Sequence, residues 1–365
     1  MRVAILHDYL NQFGGGERVL KAILDLFPEA DLYTLLYDEK KTKGLFRGRV
    51  TAKSFLDSPL TRSRHRAFIP LMPLAARSFK QKKNYDLVIS SSAGYAKGFN
   101  VSGDYHISYC HSPLRYAWDI DYLKDLPFAP WPLKEFVVKP IASWLRNWDK
   151  NASTKVNLFL ANSNFIAEKI KSYYGREAQV IYPPVDTSTF YPESLDKTKD
   201  YYLMVGRLLY YKVFDLGVKA FNKLKRPLKI IGSGPEAEKL KKLVNSPYIE
   251  FISSPSDNEL RILYSNARAL IFPQIEDFGL VAAEAQACGL PVLAFNHGGG
   301  GEIVLNGKTG LLFDEQKPET IIEAVLESEK IKFDRAFIHR SAQRFSKKEF
   351  EKQFTSVLRG VGFNV

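Results

Sequence analysis

Glu276 and Glu284 stand eight positions apart in "IEDFGLVAAEAQACG" (275–289), one on either side of a glycine and with small helix formers behind it. The preceding "ARALIFPQ" reads as a buried strand ending at Pro273. Leu280 to Cys288 has the composition of a helix that stops before Gly289 and Pro291. Glu276 then lies in the strand-to-helix loop. Phe278, Gly279 and Leu280 supply the first backbone N–H groups of the helix, which have no partner within it and sit at the positive end of its dipole. Such an end attracts an anion such as phosphate. Glu284, about one turn further in, is too deep to cap the helix but can reach toward hydroxyl groups. The pair suits a ligand that is anionic at one point and rich in hydroxyls on both sides, as a nucleotide sugar is. An ordinary surface helix with an acidic first turn accounts for the same residues.

Other residues fall where strands give way to helices. "MVGRLLYYK" puts Arg207 just past a strand and Lys212 five residues on. Two cations there can neutralise a diphosphate, the arginine as a fork and the lysine as a point charge, or they can be solvated loop cations. "IIGSGPE", with Gly232 and Gly234, and "HGGGGE" (297–302) are further strand-to-helix loops in which glycine permits close backbone approach. "DYLNQFGGGERVL" places Gly14, Gly15 and Gly16 straight before a helix. "YHISYCHSPLRYAWD" places His111 at a strand end, beside Ser112, Pro113 and Arg115, where it can donate a hydrogen bond to a hydroxyl or phosphate or serve a structural role. Tyr116, Trp118, Trp131, Trp144 and Trp148 follow, suited to the core, to a membrane surface or, for one of them, to stacking on a sugar.

Three patterns imitate motifs without meeting them. The Gly14–Gly16 turn fails the dinucleotide fingerprint because its last position is Val19, which disfavours an NAD enzyme. "GKT" at 307–309 lacks the upstream glycine of a phosphate-binding loop, Glu302 standing there instead, and leads into a strand. "DID" (Asp119 to Asp121) resembles a metal-holding acidic pair, but it falls inside an expected helix; no metal is expected.

These residues need a scaffold that delivers strand ends to one edge. "RVAILHD", "DLVISSS", "DYHISYC" and "NLFLANS" read as strands in the first half, with helices over Glu17 to Phe27, Pro132 to Lys150 and Asn164 to Tyr174. The second half alternates more cleanly, with strands at "YYLMVG", "LKIIG", "YIEFIS", "ALIFPQ", "PVLAF" and "TGLLF". Alternation of this kind implies parallel sheets covered on both faces, so the expected class is α/β with two doubly wound domains. The proline-rich stretch 181–200 links them. The expected boundaries are 1–190, 191–343 and a final helix over 344–365 with apolar Phe350, Phe354, Val357 and Leu358. Ligands of such folds gather outside the carboxyl ends of the strands, which makes a cleft between the domains the expected site.

Composition narrows the class. The chain has 365 residues, 45% hydrophobic and 25% charged, as soluble globular proteins do. Cys110 and Cys288 are its only cysteines, far apart, which argues against a disulfide framework and for a reducing, cytoplasmic compartment. "MRVAILHDYL" begins a strand and lacks the features of a secretory signal. The net charge is +12, and residues 51–100 alone carry nine Lys/Arg against two Asp/Glu. The basic residues of 62–83 alternate with apolar ones, which suits an anionic membrane surface or a solvated amphipathic helix. No nucleic-acid signature accompanies the charge, and nucleic acid is not an expected partner.

Together "EDFGLVAAE", "GR" with Lys212, "GSGPE", "NSNFIAEKI", "VIYPPVD" and "YCHSPLRYAWD" resemble the retaining glycosyltransferases of family 4, nearest to bacterial O-antigen and exopolysaccharide mannosyltransferases. The resemblance spans nearly the whole chain, including "FSKKEF", and implies a GT-B fold of two Rossmann-like domains, with the last helix crossing back to the first. It implies net retention at the anomeric carbon and no required metal or other cofactor. Position by position, Arg207 and Lys212 would bind the donor diphosphate with help from the Phe278, Gly279 and Leu280 amides. Glu276 would hold hydroxyls of the transferred sugar and Glu284 the ribose. His111 would sit against the sugar, and Gly14, Gly15 and Gly16 near the phosphates and acceptor. The implied donor is GDP-mannose, with UDP-linked hexoses next; the implied acceptor is a glycan or lipid-linked glycan, met at the inner face of the plasma membrane. A non-catalytic nucleotide-sugar binder and a two-domain epimerase or phosphorylase are the rival functions. "VAAEA" and "ISSPSDNEL" depart from the family pattern, the latter in the loop that would meet the base.

Overall fold

Short apolar runs bounded by turn residues become parallel strands in both halves of the chain. The computed structural model describes residues 1–81, 83–119, 134–195 and 200–364. They divide into two compact units, 1–182 with 354–365, and 183–353. The divisions fall inside the proline-rich stretch and inside the last helix, where the sequence pattern places boundaries at 190 and 343.

The first unit holds seven parallel strands: β1 (Val3–Leu10), β2 (Asp31–Tyr37), β3 (Val50–Lys53), β4 (Tyr85–Ser92), β5 (Gly103–Cys110), β6 (Leu158–Ala161) and β7 (Ala178–Val180). Their order is β3-β2-β1-β4-β5-β6-β7. The central strands are apolar along nearly their whole length because helices cover both faces. The helix Gly15–Leu26 buries Val19, Leu20, Ile23 and Leu24 on one stripe. The helix Asn164–Tyr174 has the bounds its sequence predicts: the Ser163 hydroxyl accepts the Ile166 N–H at its start, and Gly175 ends it at φ 66°.

The second unit has six parallel strands: β8 (Tyr202–Val205), β9 (Leu228–Ile231), β10 (Ile249–Ile252), β11 (Leu270–Phe272), β12 (Val292–Phe295) and β13 (Gly310–Phe313). Their order is β10-β9-β8-β11-β12-β13. All six are the strands expected from the sequence. In each unit the order reverses once, between β1 and β4 and between β8 and β11, and a doubly wound sheet binds ligands at the carboxyl ends flanking that reversal.

Four local expectations are corrected. The sequence reading omits β2, β3 and β7. β2 is a leucine-rich run whose periodicity does not separate a buried strand from a buried helix, and the other two are too short to show a pattern. Gly15 and Gly16 form the first turn of their helix, and Gly14 is its cap. The helix expected through "DID" spans only Arg115–Trp118, so Asp119 lies outside it; Asp121 and Trp131 lie outside the described residues. In place of one amphipathic helix, residues 59–77 form three short helical pieces, Pro59–Ser63, His65–Leu71 and Met72–Arg77, broken at Arg64 and, between Pro70 and Pro73, at Leu71. The last helix, Lys347–Gly360, buries Phe350, Phe354, Val357 and Leu358 as expected.

Candidate active site

In the second unit the charged residues collect at the reversal point. Gly206 and Arg207 follow β8 directly, and the turn Tyr210–Lys212 comes next. Val213 closes that turn at φ 46°, a left-handed conformation that a β-branched residue adopts only under constraint. Glu276 lies just beyond β11, the strand beside β8. The Lys212 ammonium pairs with the Glu276 carboxylate, their side chains only 14% and 21% exposed, so this lysine is not a freely solvated loop cation. Arg207 is exposed. The helix Leu280–Ala287 begins after Gly279, which takes φ 101°, with Phe278 buried ahead of it. Glu284 lies on the inner side of that helix and is 5% exposed. Thus Lys212, Glu276, Phe278, Gly279 and Leu280 share the loops at two neighbouring strand ends.

The glycine loops brace these loops. A Cβ on Gly232 would lie 1.9 Å from the Gly206 carbonyl oxygen, and one on Gly234 2.3 Å from that of Leu208, on either side of Arg207. Both glycines also take positive φ. The Leu208 N–H donates to the Ser233 carbonyl at 2.9 Å. Likewise a Cβ on Gly299 would meet the Phe278 carbonyl oxygen at 1.9 Å, and the Gly299 N–H donates to the Glu276 carbonyl at 2.8 Å. Close backbone approach is thus realised between loops, and it fixes the backbone carrying Arg207, Glu276 and Phe278.

The first unit assembles a second constellation, at the ends of β1, β4 and β5. His111 follows β5, and its Nε2 lies 2.8 Å from Ser91 Oγ on β4. Ser91 Oγ is also 3.1 Å from Nδ1 of His7 on β1. A Cβ on Gly16 would lie 3.8 Å from both His111 Nε2 and His7 Cε1, which brings the glycine turn and His111 together. The Gly14 N–H donates to Glu17 Oε2 at 2.8 Å, closing that turn. Burial, with the neighbouring His111 adding to it, holds the His7 imidazole down to about 3, so the ring is neutral at ordinary pH. Asp8, the next residue, accepts the N–H groups of Ala93, Tyr95 and Ala96 and so pins the loop after β4. Burial pushes its carboxyl up to about 6 against those bonds.

Sequence reasoning missed His7, Asp8 and Ser91. His7 and Asp8 lie within β1 and Ser91 within β4, where each reads as a polar interruption of an apolar run. Lys97 and Asp149 also went unseen: they form a fully buried ion pair, with Asp149 accepting from Trp118 Nε1 and the Tyr174 hydroxyl. Trp118 stacks flat on Tyr173 with ring centroids 4.2 Å apart. Trp148 is core and Trp144 exposed. Cys110 and Cys288 are buried and not joined in a disulfide, and burial pushes the Cys288 thiol up to about 12. Among the described residues no group of three or more His, Cys, Asp or Glu is placed to hold a metal ion.

Two Rossmann-like α/β units with charged loops at the reversal point define the GT-B architecture, and solved structures agree. HepE from Anabaena, in complex with UDP and glucose, matches with a TM-score of 0.69 over 98% of this chain and 99% of that one, at 16% identity. Sucrose-phosphate synthase from Thermosynechococcus elongatus matches with a TM-score of 0.73 over 99% of both chains, at 18% identity. At the sequence level, the glycosyltransferase family 4 model matches residues 13–189 and the glycosyl transferases group 1 model residues 187–348. With one model on each unit, the chain belongs to the group 1/family 4 glycosyltransferases. An uncharacterized glycosyltransferase of Methanocaldococcus jannaschii is 30% identical over 56% of this chain and 58% of its own length. A GDP-mannose-dependent phosphatidylinositol monomannoside mannosyltransferase of Mycobacterium tuberculosis is 30% identical over 45% of this chain and 50% of its own. The chain thus spans about half the length of the curated relatives it matches.

Proposed function

We propose that the chain is a retaining, metal-independent glycosyltransferase that moves a hexose, best supported as mannose from GDP-mannose, onto a glycan or lipid-linked glycan acceptor in surface polysaccharide synthesis. The observation that carries this reading is the Lys212–Glu276 pair, which joins the loop after β8, where Arg207 also lies, to the loop before the helix Leu280–Ala287. Departure of a nucleoside diphosphate develops negative charge, and fixed cations with helix amides stabilise it without reorganising. Arg207 would grip the diphosphate by two parallel bonds, and Lys212, held in place by Glu276, would supply a point charge. Glu276 would accept from hydroxyls of the transferred sugar and Glu284 from the ribose. His111 would contact the transferred sugar, and Gly14, Gly15 and Gly16 would lie near the phosphates and acceptor. Attack from the face that the leaving group departs, with the departing phosphate taking the acceptor proton, needs no protein nucleophile. The mycobacterial relative's use of GDP-mannose supports the donor; HepE, solved with UDP and glucose, keeps UDP-hexoses as the second candidate.

The test is a donor panel. Purified protein is incubated with GDP-, UDP- and ADP-sugars in chelator, and nucleoside diphosphate release is scored. Release is expected from GDP-mannose and lost by about 100-fold in Arg207→Ala and Glu276→Ala at unchanged thermal unfolding, the scale of removing one stabilising group. No release from any donor would leave a non-catalytic binder as the better reading.

A peripheral membrane location is part of the proposal. Leu60, Leu71 and Leu74 are exposed beside exposed Arg64, Arg66, Arg77 and Lys80, a mixture that suits an anionic lipid surface. Arg62 is excluded from that set, being held bidentately by Asp57 at 2.6 Å. No helix of the described residues is long and apolar enough to cross a membrane. Co-sedimentation with phosphatidylglycerol vesicles is expected and should be lost when Arg64, Arg66 and Arg77 become Glu; unchanged partitioning defeats the idea.

A further inference from the structure

Two imidazoles converge on one hydroxyl in the first unit. Ser91 Oγ lies 3.1 Å from His7 Nδ1 and 2.8 Å from His111 Nε2, and the two rings stand nearly perpendicular, at 84°, with centroids 6.5 Å apart. A hydroxyl carries one proton, so Ser91 can donate to at most one of the two rings and at least one ring must donate to it. Each member comes from a different strand of three adjacent ones. His7 and Ser91 are ladder partners on β1 and β4, and His111 follows β5, its N–H donating to the Ser92 carbonyl at 2.8 Å. The backbone therefore fixes all three members. His7 is 4% exposed and Ser91 wholly buried, whereas His111 is half-buried and Gly16 covers it with no side chain. The buried end of this set is His7, and the end that reaches solvent is His111.

We propose that His7 and Ser91 are positioning residues for His111, which through one shared hydroxyl hold its ring in a single orientation and tautomer, so that the substrate always meets the same nitrogen in the same state. This deepens the role assigned to His111 under the proposed function and rests on it. A histidine that merely sat at a strand end would be free to flip its ring and exchange tautomers, and each bound sugar would meet a mixture of donors and acceptors. Loss of the order is expected to slow the step after binding and to leave binding nearly unchanged.

The full chain labelled with ¹⁵N-histidine is examined by imidazole NMR, and donor turnover is measured for Ser91→Ala, His7→Phe, His7→Asn and His111→Ala. The wild-type His111 ring is expected in one tautomer and in Ser91→Ala as a mixture. In Ser91→Ala and His7→Phe, kcat is expected to fall by ~10- to 100-fold, the scale of a misoriented group, with donor KM within about twofold. His7→Asn, whose amide can replace Nδ1, is expected to recover most of the loss seen in His7→Phe. A mixture of tautomers in the folded wild-type protein overturns the proposal whether or not the variants fold. So does wild-type kcat in Ser91→Ala and His7→Phe alongside an inactive His111→Ala. Full turnover in His111→Ala would instead overturn the role of His111 itself.

Discussion

Gly16 lies at the boundary between local propensity and function. It occupies the first turn of a helix, where alanine is favoured over glycine by about 1 kcal/mol, and a Cβ there would touch His111 and His7 at ordinary van der Waals distance. Gly16→Ala is therefore expected to keep or raise the melting temperature while lowering donor turnover by at least tenfold, because the methyl group takes the space over His111. Calorimetry and the nucleotide-release assay check the two halves separately; unchanged turnover would mean that nothing binds over that ring. The charged residues were legible in the sequence because Arg207, Lys212 and Glu276 follow recognisable strands at short spacing. His7 and Ser91 were not, because each lies within a strand and looks like any polar interruption of an apolar run. Only the ladder that sets His7 against Ser91 gives them meaning.

Among elements, the loops of the second unit are interlocked in pairs, β8 with β9 and β11 with β12. At Gly232 a side chain would have to occupy the Gly206 carbonyl, and at Gly299 that of Phe278. Gly232→Ala and Gly299→Ala are each expected to cost about 1–3 kcal/mol, the scale of overpacking, and to move Arg207 or Glu276 with the displaced loop. Urea unfolding of each purified variant measures the cost, and a loss below about 0.5 kcal/mol would show that the loops yield easily. The sequence marked these glycines as close-approach positions without showing what approaches. A glycine run reads the same whether the neighbour is a phosphate or another loop, and only packing decides. The six strands of this unit were legible because each is short, apolar and bounded by turn residues; β2, β3 and β7 of the first unit lacked one or another of those marks.

Across the whole molecule, acid stability depends on groups buried out of their preferred charge state. Burial holds His7 down to about 3 and His106, whose Nε2 meets Ser90 Oγ at 2.9 Å, down to about 4. Both take up protons in the unfolded chain near 6.5, so their stabilising effect is complete above that pH and is lost as pH falls toward their folded values. By pH 4 each costs roughly 3 kcal/mol. Asp8 opposes them: with its folded value raised to about 6, its contribution is present below about 4 and lost as pH rises through 6, returning roughly 2 kcal/mol at pH 4. The net expectation is a loss on the order of 4 kcal/mol between pH 7 and pH 4, seen as a falling melting temperature, with a shallower fall in His106→Gln. A melting temperature independent of pH over that range would contradict the burial of these rings. The interlocked glycines have an evolutionary corollary. Donor preference can drift by exchange of the side chains that project from the paired turns, but the turns themselves admit almost no substitution. A saturating survey of variants should therefore find intolerance concentrated at residues that have no functional group at all.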